Sequence, residues 1–188
     1  MPLLRREEEV FPPDIFDLDP ASAPWAVAHV KSRCEKTLAR LLAEREVPFY
    51  LPQVEKQTTR DGRRRVSHLP LFPGYLFFRS AGEGRHHVVR SPATASIIDV
   101  ADQITLTEEL RQLRTLQLAG ASLRLVDELV PGDSVRVREG VFSGYHGVVE
   151  SARGNDRLVI RVTLLQKAVA IEFATERLTR ASGGILKS

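Results

Sequence analysis

The chain has almost no cysteine. A single residue, Cys34, excludes an internal disulfide and a thiolate zinc cluster. No uncharged apolar run approaches the ~18 residues that a membrane-spanning helix needs. The opening residues MPLLRREEEVFPPD offer no secretory core, because acids follow Arg5-Arg6 at once. A cytoplasmic location is the expectation. Neither GxGxxG nor GxxxxGK[ST] occurs, so no phosphate loop supports nucleotide use. No Gly-x-Ser-x-Gly elbow is present. The five histidines (29, 68, 86, 87 and 146) show no helical metal pairing, and no metal or cofactor is expected. A Cys34 nucleophile with His29 as base is the one enzymatic alternative, and Cys34 lies on what reads as a helix's apolar stripe, where cysteine is usually packed and inert. The chain therefore reads as a binding protein without catalysis.

What is present is charge, unevenly placed. Lys+Arg is 27 against 24 Asp+Glu, a net +3 over 188 residues. Residues 1–24 carry two arginines against six acids (Glu7, Glu8, Glu9, Asp14, Asp17, Asp19), so the rest carries +7. Arginine outnumbers lysine 22 to 5. A GC-rich genome would also give that ratio. The clustering says more: Lys56, Arg60, Arg63, Arg64 and Arg65 face only Glu55 and Asp61 nearby, and arginine's planar fork suits phosphate.

Residues 1–24 are acidic, contain five of the eleven prolines and show no sustained period, so a flexible extension is expected. Trp25–Val30 reads as a strand. Ser32-Arg33-Cys34-Glu35 fits a capping box, with Ser32 as cap and Glu35 reaching back. Cys34, Leu38, Leu41 and Leu42 then form one apolar helical stripe that ends before Pro48. Phe49–Val54 reads as a strand, Asp61-Gly62 as a hairpin turn between basic arms, Leu71–Phe78 as a strand and Ser96–Val100 as another. A helix begins near Thr105, with Leu106, Leu110, Leu113 and Leu116 or Leu118 inside. This order predicts an α+β sandwich over 25–119. A linker over 120–130 leads to a second unit over 131–181, with a tail at 182–188. The second unit reads as short β-branched strands, Ser134–Arg138, Gly147–Ser151, Leu158–Thr163 and Val169–Phe173, which suit a small SH3-like barrel.

Two separated blocks carry a resemblance. WAVAHVKSRCEKTLARLLAERE, FYLPQV, a basic hairpin and LPLFPGYLFFR resemble the N-terminal domain of the NusG/RfaH family of transcription elongation factors. PGDSVRVREGVFSGYHGVVES followed by RLVIRVTLL is similar to the family's C-terminal KOW barrel. Together they span about residues 25–180. The resemblance implies an elongation factor that binds RNA polymerase and modulates pausing or termination. Ser91-Pro92-Ala93-Thr94 lacks a glycine common in relatives, and Gln166 replaces another. Between Lys56 and Phe78 the pattern is closer to the specialised antiterminators than to the housekeeping factor.

The same resemblance implies contacts. Phe72, Tyr75 and Phe77 fall where relatives grip the clamp helices of the largest polymerase subunit, with Trp25 on the opening strand. Arg85, His86 and His87 fall on a loop that touches the polymerase across the cleft. Lys31 lies near non-template DNA, and Arg60, Arg63, Arg64 and Arg65 are placed to meet DNA or nascent RNA. In the barrel, Phe142, Tyr145, Leu164 and Leu165 stand where relatives present residues to Rho or a small-subunit ribosomal protein. The chain is expected to act as a monomer. An alternative is a ribosome-associated RNA-binding protein, since KOW barrels occur there too; it leaves LFPGYLFF without a role. In some specialised relatives the C-terminal domain is a helical hairpin, but the β-branched strands here favour a barrel.

Overall fold

A computed structural model of the chain describes residues 7–60, 62–120, 123–126, 134–136, 146–152, 155–162, 165 and 167–172. The chain forms two compact units, Met1–Glu108 and Glu109–Ser188.

The first unit is a five-stranded antiparallel sheet with helices. In chain order it holds β1 (Val10–Phe11), a 3-10 turn (Ile15–Asp17), β2 (Trp25–Val30), α1 (Glu35–Glu44), β3 (Phe49–Tyr50), β4 (Gln53–Arg60), β5 (Arg63–Pro70), β6 (Tyr75–Arg79), α2 (Glu83–Arg90), β7 (Thr94–Asp99) and the start of α3 (Gln103–Leu118). The sheet order is β1-β3-β6-β2-β7, while β4 and β5 pair only with each other. Trp25–Val30 is buried on both faces except at His29. Ala26, Ala28, Val30, Leu76 and Phe78 point to the face covered by Leu38, Ala39 and Leu42 of α1 and Val88 of α2, forming the main core. Cys34 packs against its rim.

Four local readings differ from this fold. Ser32 and Glu35 form no capping box: α1 starts at Glu35, with Cys34 at its cap position and no side-chain cap bond. Glu35 is buried and is used elsewhere, as described below. Leu71–Gly74 is a turn rather than strand, closed by the Tyr75 N–H donating to Phe72 O (3.1 Å), with Gly74 at φ +85°. That left-handed backbone suits glycine, which has no Cβ to crowd the carbonyl. Arg85, His86 and His87 lie on a helix, α2, and not on a loop. Finally, α3 begins at Gln103, two residues before Thr105, because Asp102 caps it: the Thr105 N–H and hydroxyl donate to Asp102 Oδ1 and Oδ2 (2.9 and 2.7 Å).

The acidic extension is not an appendage in the residues described. Val10 and Phe11 pair with Tyr50 and Phe49, adding an edge strand. Ile15 and Phe16 are buried. The Leu51 N–H donates to Glu9 O (2.6 Å) and Gln53 Nε2 to Glu7 O (3.1 Å). Glu7 also meets Arg40 of α1 at 3.6 Å. Burial lowers the Lys36 pKa, and the nearby Glu7 carboxylate opposes that shift.

The extension's anchor is Arg79, a fully buried cation at the end of β6. Its Nε and Nη2 donate to Ile15 O (3.2 and 2.8 Å), and Nη1 donates to Ala23 O (2.9 Å). The guanidinium lies 4.1 Å from the Trp25 ring centroid, a cation–π contact.

In the second unit the described strands are β8 (Leu123–Val126), β9 (Ser134–Arg136), β10 (His146–Ala152), β11 (Asn155–Val162) and β12 (Lys167–Glu172). They form an antiparallel sheet in the order β8-β12-β11-β10-β9. These described strands agree with an SH3-like barrel and not with a helical hairpin. Leu123–Val126, expected in the linker, is a strand, with Leu125 opposite Val169.

Candidate functional site

The sheet face opposite α1 carries a continuous series of rings. Trp25 meets Phe16 (6.0 Å between centroids), Phe16 meets Tyr50 edge-on (5.3 Å), Tyr50 meets Phe77 (6.4 Å) and Phe77 meets Phe72 edge-on (5.8 Å). Trp25 is further fixed by α3: its indole N–H donates to Thr107 Oγ1 (3.0 Å), and its backbone N–H donates to Gln103 Oε1 (2.6 Å). Every member of this series is buried. Phe72 and Phe77, read from the sequence as polymerase-contacting residues, are therefore core residues. Strand alternation places Phe77 on the same face as Tyr75, but the extension's Phe16 and the Leu71–Gly74 turn put other rings over that face.

Tyr75 differs. It sits at the start of β6, half-buried, and stacks on His29 of β2 at 5.3 Å with an interplanar angle of 27°. His29 is exposed and is Tyr75's cross-strand partner. Pro73 beside them is exposed. The turn that presents this pair is pinned from below by Glu35, whose Oε1 accepts the Gly74 N–H (2.8 Å), and by Gly74 O, which accepts the Val30 N–H (2.7 Å). The result is an accessible aromatic step, His29–Tyr75–Pro73, at the open end of a sealed ring series. Lys31, two residues beyond His29, is exposed, with its backbone N–H donating to Ala93 O (2.8 Å). His29 as Tyr75's partner escaped the sequence reading. The available signal was a lone polar residue in an otherwise apolar strand.

The other expected residues fall elsewhere. Arg85 on α2 forms a two-pronged ion pair with Asp99 of β7 (2.6 and 3.2 Å) and donates to Ser80 Oγ (3.3 Å). His86 is exposed, 3.5 Å from Glu83, and His87 is half-buried. The hairpin keeps Arg63, Arg64 and Arg65 exposed, with Arg64 hydrogen-bonded to Gln57. Arg60 pairs in register with Arg63. Leu165 is half-buried, while Phe142, Tyr145 and Leu164 lie outside the described residues. Among the described residues no histidine, cysteine and carboxylate cluster could hold a metal, and no helix is long and apolar enough to cross a membrane.

Two carboxyls are held below their ordinary range, Asp99 by hydrogen bonding to Arg85 and Asp102 by the Thr105 N–H and hydroxyl. A carboxyl with a lowered folded-state pKa stabilises the fold above its unfolded value, near 3.9, and loses that effect as pH falls through the folded value. Thermal melts are therefore expected to fall off below about pH 4. The slope should be shallower in an Asp99→Asn/Asp102→Asn chain. An undiminished fall in that variant would assign the acid sensitivity to other carboxyls.

A family model described as transcription termination factor NusG matches residues 23–114. The transcription termination/antitermination protein NusG of Pseudomonas aeruginosa is 30% identical over 165 residues, covering 79% of this chain and 93% of its own length. The corresponding protein of Escherichia coli K12 is 30% identical over 138 residues, covering 70% of this chain and 76% of its own. A solved structure described as domain interaction in Thermotoga maritima NusG overlaps 81% of this chain and 94% of its own, at 16% identity and a TM-score of 0.44. Ile15 and Phe16, which complete the ring series, precede the stretch matched by the family model. These proteins are transcription factors and not enzymes, and with a 30% identical relative matched over nearly its whole length, the chain belongs to the NusG family of transcription termination/antitermination proteins.

Proposed function

We propose that this protein is a specialised antiterminator that docks on RNA polymerase through the His29–Tyr75–Pro73 step and suppresses pausing or termination by binding alone. The observation that carries this reading is the exposed stack of His29 on Tyr75, held on a turn that Glu35 fixes. An amphipathic ring on a rigid turn suits an interface anchor, because it brings contact area at little conformational cost. Phe72 and Phe77 serve it from beneath, as the packed floor of the turn. His86, exposed on α2, is the candidate for a second polymerase contact, whereas Arg85 is already engaged by Asp99. Lys31 is placed for a phosphate of the exposed DNA strand. The second unit recruits a separate partner, Rho or a ribosomal protein, with Leu165 as its described candidate contact.

The test is retention of purified core RNA polymerase on the immobilised full chain, followed by a pausing assay. A His29→Ala/Tyr75→Ala chain is expected to melt close to the parent and to lose at least about tenfold in retention, the effect of ~1.4 kcal/mol. Equal retention by the two chains would remove this surface from the polymerase interface.

A further inference from the structure

We propose that Ser67 of β5 is a phosphorylation site for a basic-directed serine kinase, and that its phosphate pairs with Lys56 and Arg65 to lock the β4–β5 ribbon. The chain reads Arg64-Arg65-Val66-Ser67 at this point, with cations two and three residues ahead of a hydroxyl. Kinases select substrates by charge pattern, and an acidic cleft favours such a run. Alternation along β5 puts Arg65 on the same face as Ser67 and Arg64 on the other, so the two guanidiniums point to opposite walls of a cleft. Arg63, Arg64, Arg65 and Val66 are exposed and Ser67 is half-buried. β4 and β5 pair only with each other, which leaves the outer edge of β5 open among the described residues. A two-stranded ribbon is marginal by itself, so it opens locally at little cost. Among the described residues the Ser67 hydroxyl has no hydrogen-bond partner.

The donor is ATP. Ser67 Oγ forms a bond to the γ-phosphorus as the bond from that phosphorus to the ADP oxygen breaks, and the kinase's aspartate takes the hydroxyl proton. The product carries close to two negative charges at neutral pH. The register then decides what this charge meets. Lys56 lies directly opposite Ser67, and Thr58 lies opposite Arg65. Opposed Cβ atoms are ~4.5–5.5 Å apart, within reach of a lysine stem. Arg65 stands two residues along on the same face, and Lys56 and Arg65 are both exposed. Glu55 is on the other face, against His68 at 3.3 Å. Among the described residues neither Lys56 nor Arg65 has an ion-pair partner. A phosphate set between two such cations gains charge-assisted hydrogen bonds and orders the segment that carries it.

This inference is independent of the polymerase reading. Its test uses the full chain, magnesium ATP and, as probe, the catalytic subunit of cyclic AMP-dependent protein kinase, a basic-directed enzyme. The native chain should take up a single phosphoryl group, placed on Ser67 by peptide mass mapping. Ser67→Ala should stay unmodified, and Arg64→Ala/Arg65→Ala should slow transfer by at least about tenfold. Amide hydrogen exchange of β4 and β5 should slow on phosphorylation, and Lys56→Ala should remove most of that protection. Circular dichroism of each variant checks that the fold is intact. A Ser67→Ala chain modified as fast as the parent, or transfer seen only after the chain is unfolded, would overturn the site. Ribbon amides that exchange no slower once modified, or protection that Lys56→Ala leaves whole, would overturn the lock.

Discussion

Arg79→Ala is expected to cost the first unit about 4 kcal/mol, lowering its melting temperature by about 20 °C. The guanidinium is fully buried and donates to Ile15 O twice and to Ala23 O once. Removing it leaves two carbonyls without that donor, at ~1–3 kcal/mol each. It also opens a cavity beside Trp25, where the cation–π contact disappears. Arg79→Lys should recover only part of the loss, since an ammonium on a flexible stem lacks the fork that serves both carbonyls. Denaturant melts of the full chain give the measurement. A melting temperature within a few degrees of the parent would show that the extension is held by other contacts.

Deleting residues 1–24 is expected to be more damaging still. The deletion exposes what Ile15 and Phe16 cover, at ~1.5–3 kcal/mol for each buried side chain. It removes the β1 edge strand from β3 and takes both carbonyl acceptors from Arg79. Each of those lost hydrogen bonds to the guanidinium costs ~1–3 kcal/mol. The total is comparable to the 5–15 kcal/mol that stabilises a typical domain. The truncated chain should therefore lose cooperative melting or accumulate as aggregate. A truncated chain that melts like the parent would reduce the extension to an accessory. The prediction separates this protein from a reading in which the first domain begins at Trp25.

Much of the first unit was legible because its signals are local. The period of Trp25–Val30, the stripe Leu38–Leu42, the Asp61-Gly62 turn between two arms and the leucines of α3 each depend on neighbours a few residues away. The hairpin's register, with Arg60 opposite Arg63, follows from its turn. Glu35 shows where local rules fail. Its position fits a capping box, but the Gly74 N–H, 39 residues later, offers a better partner in a buried site. Leu123–Val126 likewise had no strand signal strong enough to stand alone, and it becomes a strand by pairing with β12.

The sequence by itself determined the α+β order, the strands described beyond residue 133 and the basic ribbon, since periodicity, β-branching and turn chemistry are short-range properties. Only the tertiary structure decided which rings are accessible. Phe72, Tyr75 and Phe77 are all rings close together in sequence, and Tyr75's phenol alone suits a wet edge; the fold buries Phe72 and Phe77 and leaves Tyr75 reaching solvent against His29. It also decided that an acidic, proline-rich opening segment completes the fold, because its buried Ile15 and Phe16 and the carbonyls of Ile15 and Ala23 matter only where the sheet and Arg79 meet them. Burial depends on what distant parts of the chain place over a side chain, and no local pattern contains that information.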